Sequence, residues 1–417
     1  MEAKSSFLHV FEKLESFVGK LPGSIQKPIL QEVTPLKDLF LRQRAPRIVL
    51  TGDPEAGSAG LFNAIFTAPV APFAQATDAE TTPTAAWKEF SHADRGVLRL
   101  LDTRAPAGES SATNAVQAAL TAEAPDLFLF LTDFSAATDA SARLAGDLDR
   151  LETLLDLTTK AHQTHPCVLG LVVNSSEQAF SPTDMEAARA RLQVAMATRP
   201  KVAQHMAPAL DVATFMRFRL DGSFDADSDR RYHVSELVHT LVAELPNEAR
   251  LEMARLSGAK EAQAKIAQTL VKSLAAISAA LGAQPIPLAD LPFLLTFQLA
   301  MVAGIIYISG RELSFKLAAE FLGTMGVNVG VGLVLREGAR AAIRAAAKLL
   351  LPGVGNAISG FVAASGTYAV GRAATAYYIE GVSVADARKL FQRSQRPDQG
   401  VFRLLNRRKE LPDRTGQ

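Results

Sequence analysis

The sequence predicts a doubly wound α/β sheet, its first turn shaped like a phosphate-binding loop, followed by an all-α region with hydrophobic helical hairpins. Three observations predict it. Short apolar runs alternate with helical runs from residue 47 to about 244. The turn after the first apolar run carries two glycines five positions apart, ahead of a helix. Beyond Pro246 the chain becomes helical, Ala-rich and increasingly apolar.

Residues 1–45 read as a lead-in of two amphipathic helices. Phe7, Phe11, Leu14 and Val18 recur at helical spacing, and Glu12, Lys13 and Glu15 interrupt the uncharged core a signal peptide needs. After Leu21-Pro22-Gly23, a second stripe runs through Ile25, Ile29, Val33, Leu36 and Phe40. Residues 46–245 form the α/β domain. Buried strands are expected at 48–51, 97–101, 127–131 and 168–173, with a weaker one at 215–220. Helices are expected near 58–66, 111–120, 138–160, 184–198 and 231–244. In such a sheet ligands sit at the carboxyl ends of the strands.

Residues 246–383 form the helical hydrophobic domain. Ile266, Leu270, Leu274, Ile277 and Leu281 line one face of a long helix that Pro285 and Pro287 end; Asp290 can cap the next. Residues 291–310 are twenty positions without a charge, about 30 Å as a helix and enough to cross a bilayer core. The uncharged stretch 321–335 is too short to span alone, and 349–371 is broken by Pro352-Gly353 and Gly355. A tightly packed or shallowly inserted hairpin therefore fits better than a multi-span bundle. Between these stretches Arg336, Arg340, Arg344 and Lys348 recur every four residues. They make a basic stripe suited to anionic lipid, or to an ordinary solvated helix face. Residues 384–417 are a basic tail.

Composition narrows the function classes. The chain has 417 residues, 48% apolar and 21% charged, with a net charge of +1. That near-neutrality argues against a nucleic-acid-binding surface. Residues 381–417 carry a charge of +5 and the rest −4. The lone Cys167 excludes a disulfide framework and a Cys-based zinc site, and opens an expected strand as a core residue. His162 and His165 are the one close histidine pair, without a neighbouring carboxylate constellation to complete a metal site. Trp87 is expected to pack against the sheet edge.

The first loop reads Gly52-Asp53-Pro54-Glu55-Ala56-Gly57-Ser58-Ala59. A working phosphate loop has a lysine at position 58 for the β- and γ-phosphates, and a Ser or Thr at 59 for Mg²⁺. Ser58 lacks the cation and Ala59 lacks the hydroxyl. Backbone amides at the helix start still permit weak anion binding. The transition-state charge stabilisation that phosphoryl transfer relies on is missing. Arg104 or a partner's lysine could replace the lost cation, though nothing in the sequence requires it.

With Leu61-Phe62-Asn63-Ala64-Ile65 following that loop, residues 46–245 resemble the Era-type branch of the translation-factor-like GTPases. Residues 246–383 resemble a helical domain of YcjF-type bacterial inner-membrane proteins, through PIPLADLPFLLTFQ at 285–298 and LLPGVGNAISG at 350–360. The pairing is similar to that in immunity-related and dynamin-like membrane GTPases. The resemblance implies a switch threonine among Thr81, Thr82 and Thr84, and an Asp-x-x-Gly motif at Asp102-Thr103-Arg104-Ala105 whose glycine is lost. It implies a guanine-reading motif at Asn174-Ser175-Ser176-Glu177, where the lysine is lost and Glu177 is one methylene too long. A last base-contacting loop would fall near Leu220-Asp221-Gly222-Ser223. The degenerate nucleotide-site positions are thus Gly52, Gly57, Ser58, Ala59, Asp102, Asn174 and Glu177.

These readings point to a degenerate GTPase fold serving as a membrane-associated scaffold or regulatory protein, without catalytic residues, metal or cofactor beyond weak GTP or GDP. It would meet a protein partner, or a homo- or heterodimer mate, through the GTPase-like face or the switch region at about 71–95. Anionic lipid would hold it at the cytoplasmic side of a bacterial inner membrane; a cytoplasmic location is the other option. The alternatives are a divergent GTP-binding protein that senses or remodels membranes, and a soluble protein whose apolar helices form an internal core.

Overall fold

The computed structural model describes residues 8–9, 11–12, 15–16, 18–19, 23–67, 86–92, 95–104, 110–134, 141–282, 290–326 and 355–394. They fall into two compact units, Gln43–Ala262 and a second that joins Met1–Arg42 to Gln263–Gln417. The first helix, α1 (Gly23–Phe40), belongs to the second unit.

The Gln43–Ala262 unit alternates strand and helix: β1 (Arg47–Gly52), α2 (Ser58–Phe66), β2 (Lys88–His92), β3 (Gly96–Asp102), α3 (Ser110–Ala122), β4 (Leu127–Asp133), α4 (Ser141–His162), β5 (Cys167–Asn174), α5 (Pro182–Ala197) and β6 (Met206–Ala213). A small hairpin, β7 (Arg217–Phe218) and β8 (Phe224–Asp225), precedes α6 (Val234–Glu244) and α7 (Asn247–Ser257). The main sheet has the order β2-β3-β1-β4-β5-β6, with β2 antiparallel to β3 and every other pairing parallel. Gly52 lies opposite Leu131, and Asn174 opposite Ala213, so the parallel strands end along one edge.

Continuous apolar sequence makes the central strands. Ile48, Val49 and Leu50 of β1 and all of Leu127, Phe128, Leu129, Phe130 and Leu131 of β4 are fully buried, as expected where helices cover both faces of a parallel sheet. On one face Val49, Leu101, Phe128 and Phe130 pack with Leu120 of α3 and Leu148, Leu151 and Leu155 of α4. Trp87 packs against this cluster and donates its indole N–H to the Ala119 carbonyl at 3.2 Å.

The sixth strand differs from expectation. It is Met206–Ala213, not 215–220, which supplies only the two residues of β7. Pro208 masks the signal: proline cannot donate to a ladder and survives only at an edge or a bulge. β6 is the sheet edge, and its register with β5 shifts between Leu169 and Leu171, across from that proline.

In the second unit α1 buries Ile29, Val33, Leu36 and Phe40. The boundary between the units falls in the first turn of α8 (Lys260–Gly282), which buries Ile266, Leu270, Leu274 and Ile277. The Ser273 hydroxyl donates to Glu32 of α1 at 2.8 Å. Next come α9 (Asp290–Ile308), α10 (Phe315–Thr324), α11 (Gly355–Thr375) and α12 (Val384–Ser394). Thr367 of α11 donates to Ser278 of α8 at 3.0 Å, a polar contact inside the packed helices.

The spanning length read from 291–310 is corrected here. Among the described residues no helix is long and apolar enough to cross a membrane. Met301, Val302, Ala303, Ile305, Ile306 and Ile308 of α9 are fully buried within the protein. An all-round apolar helix can be a protein core as readily as a membrane span, and length alone does not separate the two. The start of the expected 384–417 tail is the eleven-residue helix α12. Ser383 caps it by accepting from the Asp386 amide at 3.1 Å, and Ala387 and Phe391 bury its inner face. The stripe Arg336, Arg340, Arg344 and Lys348, the candidate threonines Thr81, Thr82 and Thr84, and most of the 71–95 switch region lie outside the described residues.

Candidate functional site

At the end of β1 the backbone of Gly52 turns with φ +95°. Asp53 follows, nearly fully buried, its amide donating to the Leu131 carbonyl at 2.8 Å. The Asp53 carboxylate accepts from the Glu55 amide at 2.9 Å and from Arg143 of α4 at 2.8 Å. Gly57 is the N-cap of α2, and Ser58 and Ala59 open the helix. The turn has the path of a phosphate loop, with its helix N-terminus in place.

Arg104, two residues past β3, fills the position facing that loop. Its guanidinium grips both Asp102 oxygens, Nε to Oδ1 at 2.9 Å and Nη2 to Oδ2 at 2.7 Å. Nη2 also donates to the Ser58 hydroxyl at 2.8 Å and Nη1 to the Asp53 carbonyl at 3.3 Å. Its side chain is only 5% exposed. This is a planar fork matched to a carboxylate, the geometry that distinguishes arginine from lysine. The residues do not fit Mg²⁺ with a nucleotide: position 59 has no hydroxyl, and the Asp102 carboxylate is taken by Arg104.

Asp147, one helical turn beyond Arg143, has its carboxyl pushed above the usual range by burial, against the opposing pull of Arg143. Arg143, Asp147, Leu151 and Leu155 repeat every four residues, so α4 sets its charged end over the loop and its apolar length over the sheet.

The second loop adjoins the first. A Cβ placed on Gly57 would come within 2.8 Å of Ser175. Asn174 is buried, and its side-chain oxygen accepts from the Ser176 amide at 2.9 Å, shaping the turn. Glu177 does not join the others. It pairs with Arg217 of β7 at 2.7 Å, with its side chain 60% exposed. After β6 the Thr214 amide donates to the Asn174 carbonyl at 2.9 Å. Residues 219–222 close the β7–β8 hairpin, with Gly222 N–H on the Arg219 carbonyl.

Gly52, Gly57, Ser58, Ala59 and Asp102 thus surround one turn, with Asn174 beside it. Sequence reasoning missed Arg143, which reaches Asp53 only through the placement of α4. Elsewhere, His162 contacts the Leu120 carbonyl at 2.7 Å, and His165 stacks on His205. The Cys167 thiol is pushed up to about 12, mainly by burial and then by Glu244, which makes it a poor nucleophile.

The strand order, the antiparallel second strand and the loop between β1 and α2 decide the fold. The α/β unit resembles a P-loop GTPase fold. Solved structures similar to the chain are GTPases at low identity. Era in complex with MgGDPNP and nucleotides of 16S ribosomal RNA is 13% identical over 59% of this chain and 70% of its own, with a TM-score of 0.31. The LeoA bacterial dynamin GTPase from ETEC is 11% identical over 93% of this chain and 72% of its own, TM-score 0.34. A bacterial selenocysteine-specific elongation factor is 8% identical over 48% of this chain, which spans only 28% of that protein, TM-score 0.30. No family model and no curated protein matches the chain.

Proposed function

We propose that the chain is a pseudo-GTPase, a GTPase fold kept as an interaction scaffold or regulatory partner. The observation that supports this reading is Arg104, held by Asp102, Ser58 and the Asp53 carbonyl where a GTPase needs its cation and metal. Hydrogen bonds to charged groups contribute roughly 1.5–3 kcal/mol each, so a nucleotide would have to displace several of them before making its own contacts. Calorimetry with Mg·GTP and Mg·GDP tests this. Nucleotide at millimolar concentration should give no saturable heat. Micromolar GTP binding that is lost in Asp102→Ala would sink the proposal.

In this reading the GTPase-like face engages a protein, whether another copy or an active GTPase, and the helical unit contacts the cytoplasmic leaflet of a bacterial membrane. The buried faces of α9 favour a peripheral contact over a spanning one. Arg336, Arg340, Arg344 and Lys348 would supply the lipid contact at ~1 kcal/mol per charge near an anionic surface, weakened by salt. Flotation with vesicles of phosphatidylcholine and phosphatidylglycerol should carry the wild type upward at low salt. The fourfold alanine variant should stay at the bottom. A wild type that never floats rules out the lipid contact.

A further inference from the structure

We infer that Arg104 performs, from within the chain, the bridging that a nucleotide with its cation performs in a GTPase, tying the phosphate loop to the end of β3 without any ligand. The inference rests on the pseudo-GTPase reading and adds how the retired site is regulated: it is held in one linked state.

The bridge has two ends on different elements. Asp102 belongs to β3 and is gripped through both oxygens. Ser58 and the Asp53 carbonyl belong to the loop and the start of α2. Asp102 is itself oriented, because its Oδ1 also accepts from the Arg104 amide at 3.1 Å. On the far side of the loop, the Asp53 carboxylate is tied to Arg143 of α4. Three elements therefore meet at one turn through two arginines. Arg104 is the member that joins loop to β3, while Arg143 joins loop to α4. The charges of Arg104 and Asp102, and of Arg143 and Asp53, cancel in pairs, so the cluster does not call for an outside anion. A buried arginine with this many partners is also costly to withdraw, since each acceptor would have to find water or another donor.

Local opening is what distinguishes a clasp from ordinary packing. If Arg104 couples the two segments, 52–58 and 100–104 should loosen together when it is removed. Hydrogen exchange of the full chain, read by mass spectrometry, tests this with Arg104→Ala and Arg104→Lys. In Arg104→Ala both segments should exchange at least about tenfold faster, while the central strand at 168–173 keeps its wild-type rate. Lysine keeps the charge but lacks the fork that spans Asp102 and Ser58, so Arg104→Lys should fall between. Millimolar methylguanidinium should restore protection to Arg104→Ala by refilling the vacated position, and tetramethylammonium should not. Should Arg104→Ala not fold, Arg104→Lys decides by the same two segments. Unchanged exchange in either segment, or a loosening that spreads equally to 168–173 and ignores methylguanidinium, overturns the inference. Protection of the wild-type loop by Mg·GTP would instead overturn the pseudo-GTPase reading.

Discussion

Replacing Glu252 by alanine is expected to destabilise the α/β unit by about 3–5 kcal/mol, the loss typical of breaking a buried ion pair from one side. Glu252 lies on α7, most of which is buried: Ala249, Leu251, Met253, Ala254 and Leu256 have no exposed surface. Its carboxylate takes the Val97 amide at 2.8 Å, the Gln43 side-chain amide, and Arg255 at 3.5 Å. Gly96, with φ +146°, leaves room for it, since a Cβ there would come within 2.3 Å of the carboxylate. One buried group thus fastens the start of β3 and the entry to β1 onto α7. Alanine would leave the Val97 amide without its acceptor and remove the charge beside the buried Arg255. Glu252→Gln retains an acceptor and should cost less, about 1–2 kcal/mol. Urea unfolding followed through Trp87, the one tryptophan, measures both. A wild-type midpoint for the alanine variant would mean that the latch carries no stability.

That latch also shows where sequence stops informing. Pro246 sits where composition turns helical, and the helix after it was expected to open the second domain at 246. The structure puts α7 against β3, in the first unit, which runs to Ala262. Within that unit Glu252 of α7 joins Gln43 and Val97. No local pattern records pairings that distant. The central strands were legible for the opposite reason. Expected spans of 48–51, 127–131 and 168–173 lie inside β1, β4 and β5, because burial on both faces demands uninterrupted apolar residues. The edges were not. β2 reads KEFSH, with Phe90 its buried hydrophobic residue, and β6 contains Pro208 and Asp211. Edge strands tolerate or require such residues as protection against unwanted pairing.

The site divides in the same way. Loss of lysine at 58 and of a hydroxyl at 59 is legible, because the spacing of a phosphate loop assigns each position a job. Arg104 was visible as a cation in the motif after the third strand. Its grip on Ser58 was not, because that contact depends on β1 and β3 running side by side, with Leu50 paired to Asp102. Glu177 shows the same. Its place in the motif is legible, but not its pairing with Arg217 of a hairpin that begins four residues after β6.

Gly52→Ala should be as damaging as the loss of Glu252, and it separates two reasons for a glycine at that position. In a GTPase the loop glycines let backbone approach phosphate, which would make Gly52 a relic of nucleotide binding. The geometry gives a reason that needs no nucleotide. Gly52 has φ +95°, and a Cβ there would lie 2.2 Å from the Leu131 carbonyl oxygen. That oxygen belongs to the backbone of a central strand, and it accepts the Asp53 amide at 2.8 Å, so it cannot step aside without opening the sheet. Strained φ costs about 1–3 kcal/mol and forced overpacking about as much again, so Gly52→Ala should lose roughly 3 kcal/mol or more of stability. The loss should be the same with and without Mg·GTP. Thermal unfolding of both proteins in both conditions decides the matter. A variant as stable as wild type would show that the turn can relax. A variant whose deficit appears only with nucleotide present would return Gly52 to ligand binding, and the pseudo-GTPase reading would fall with it.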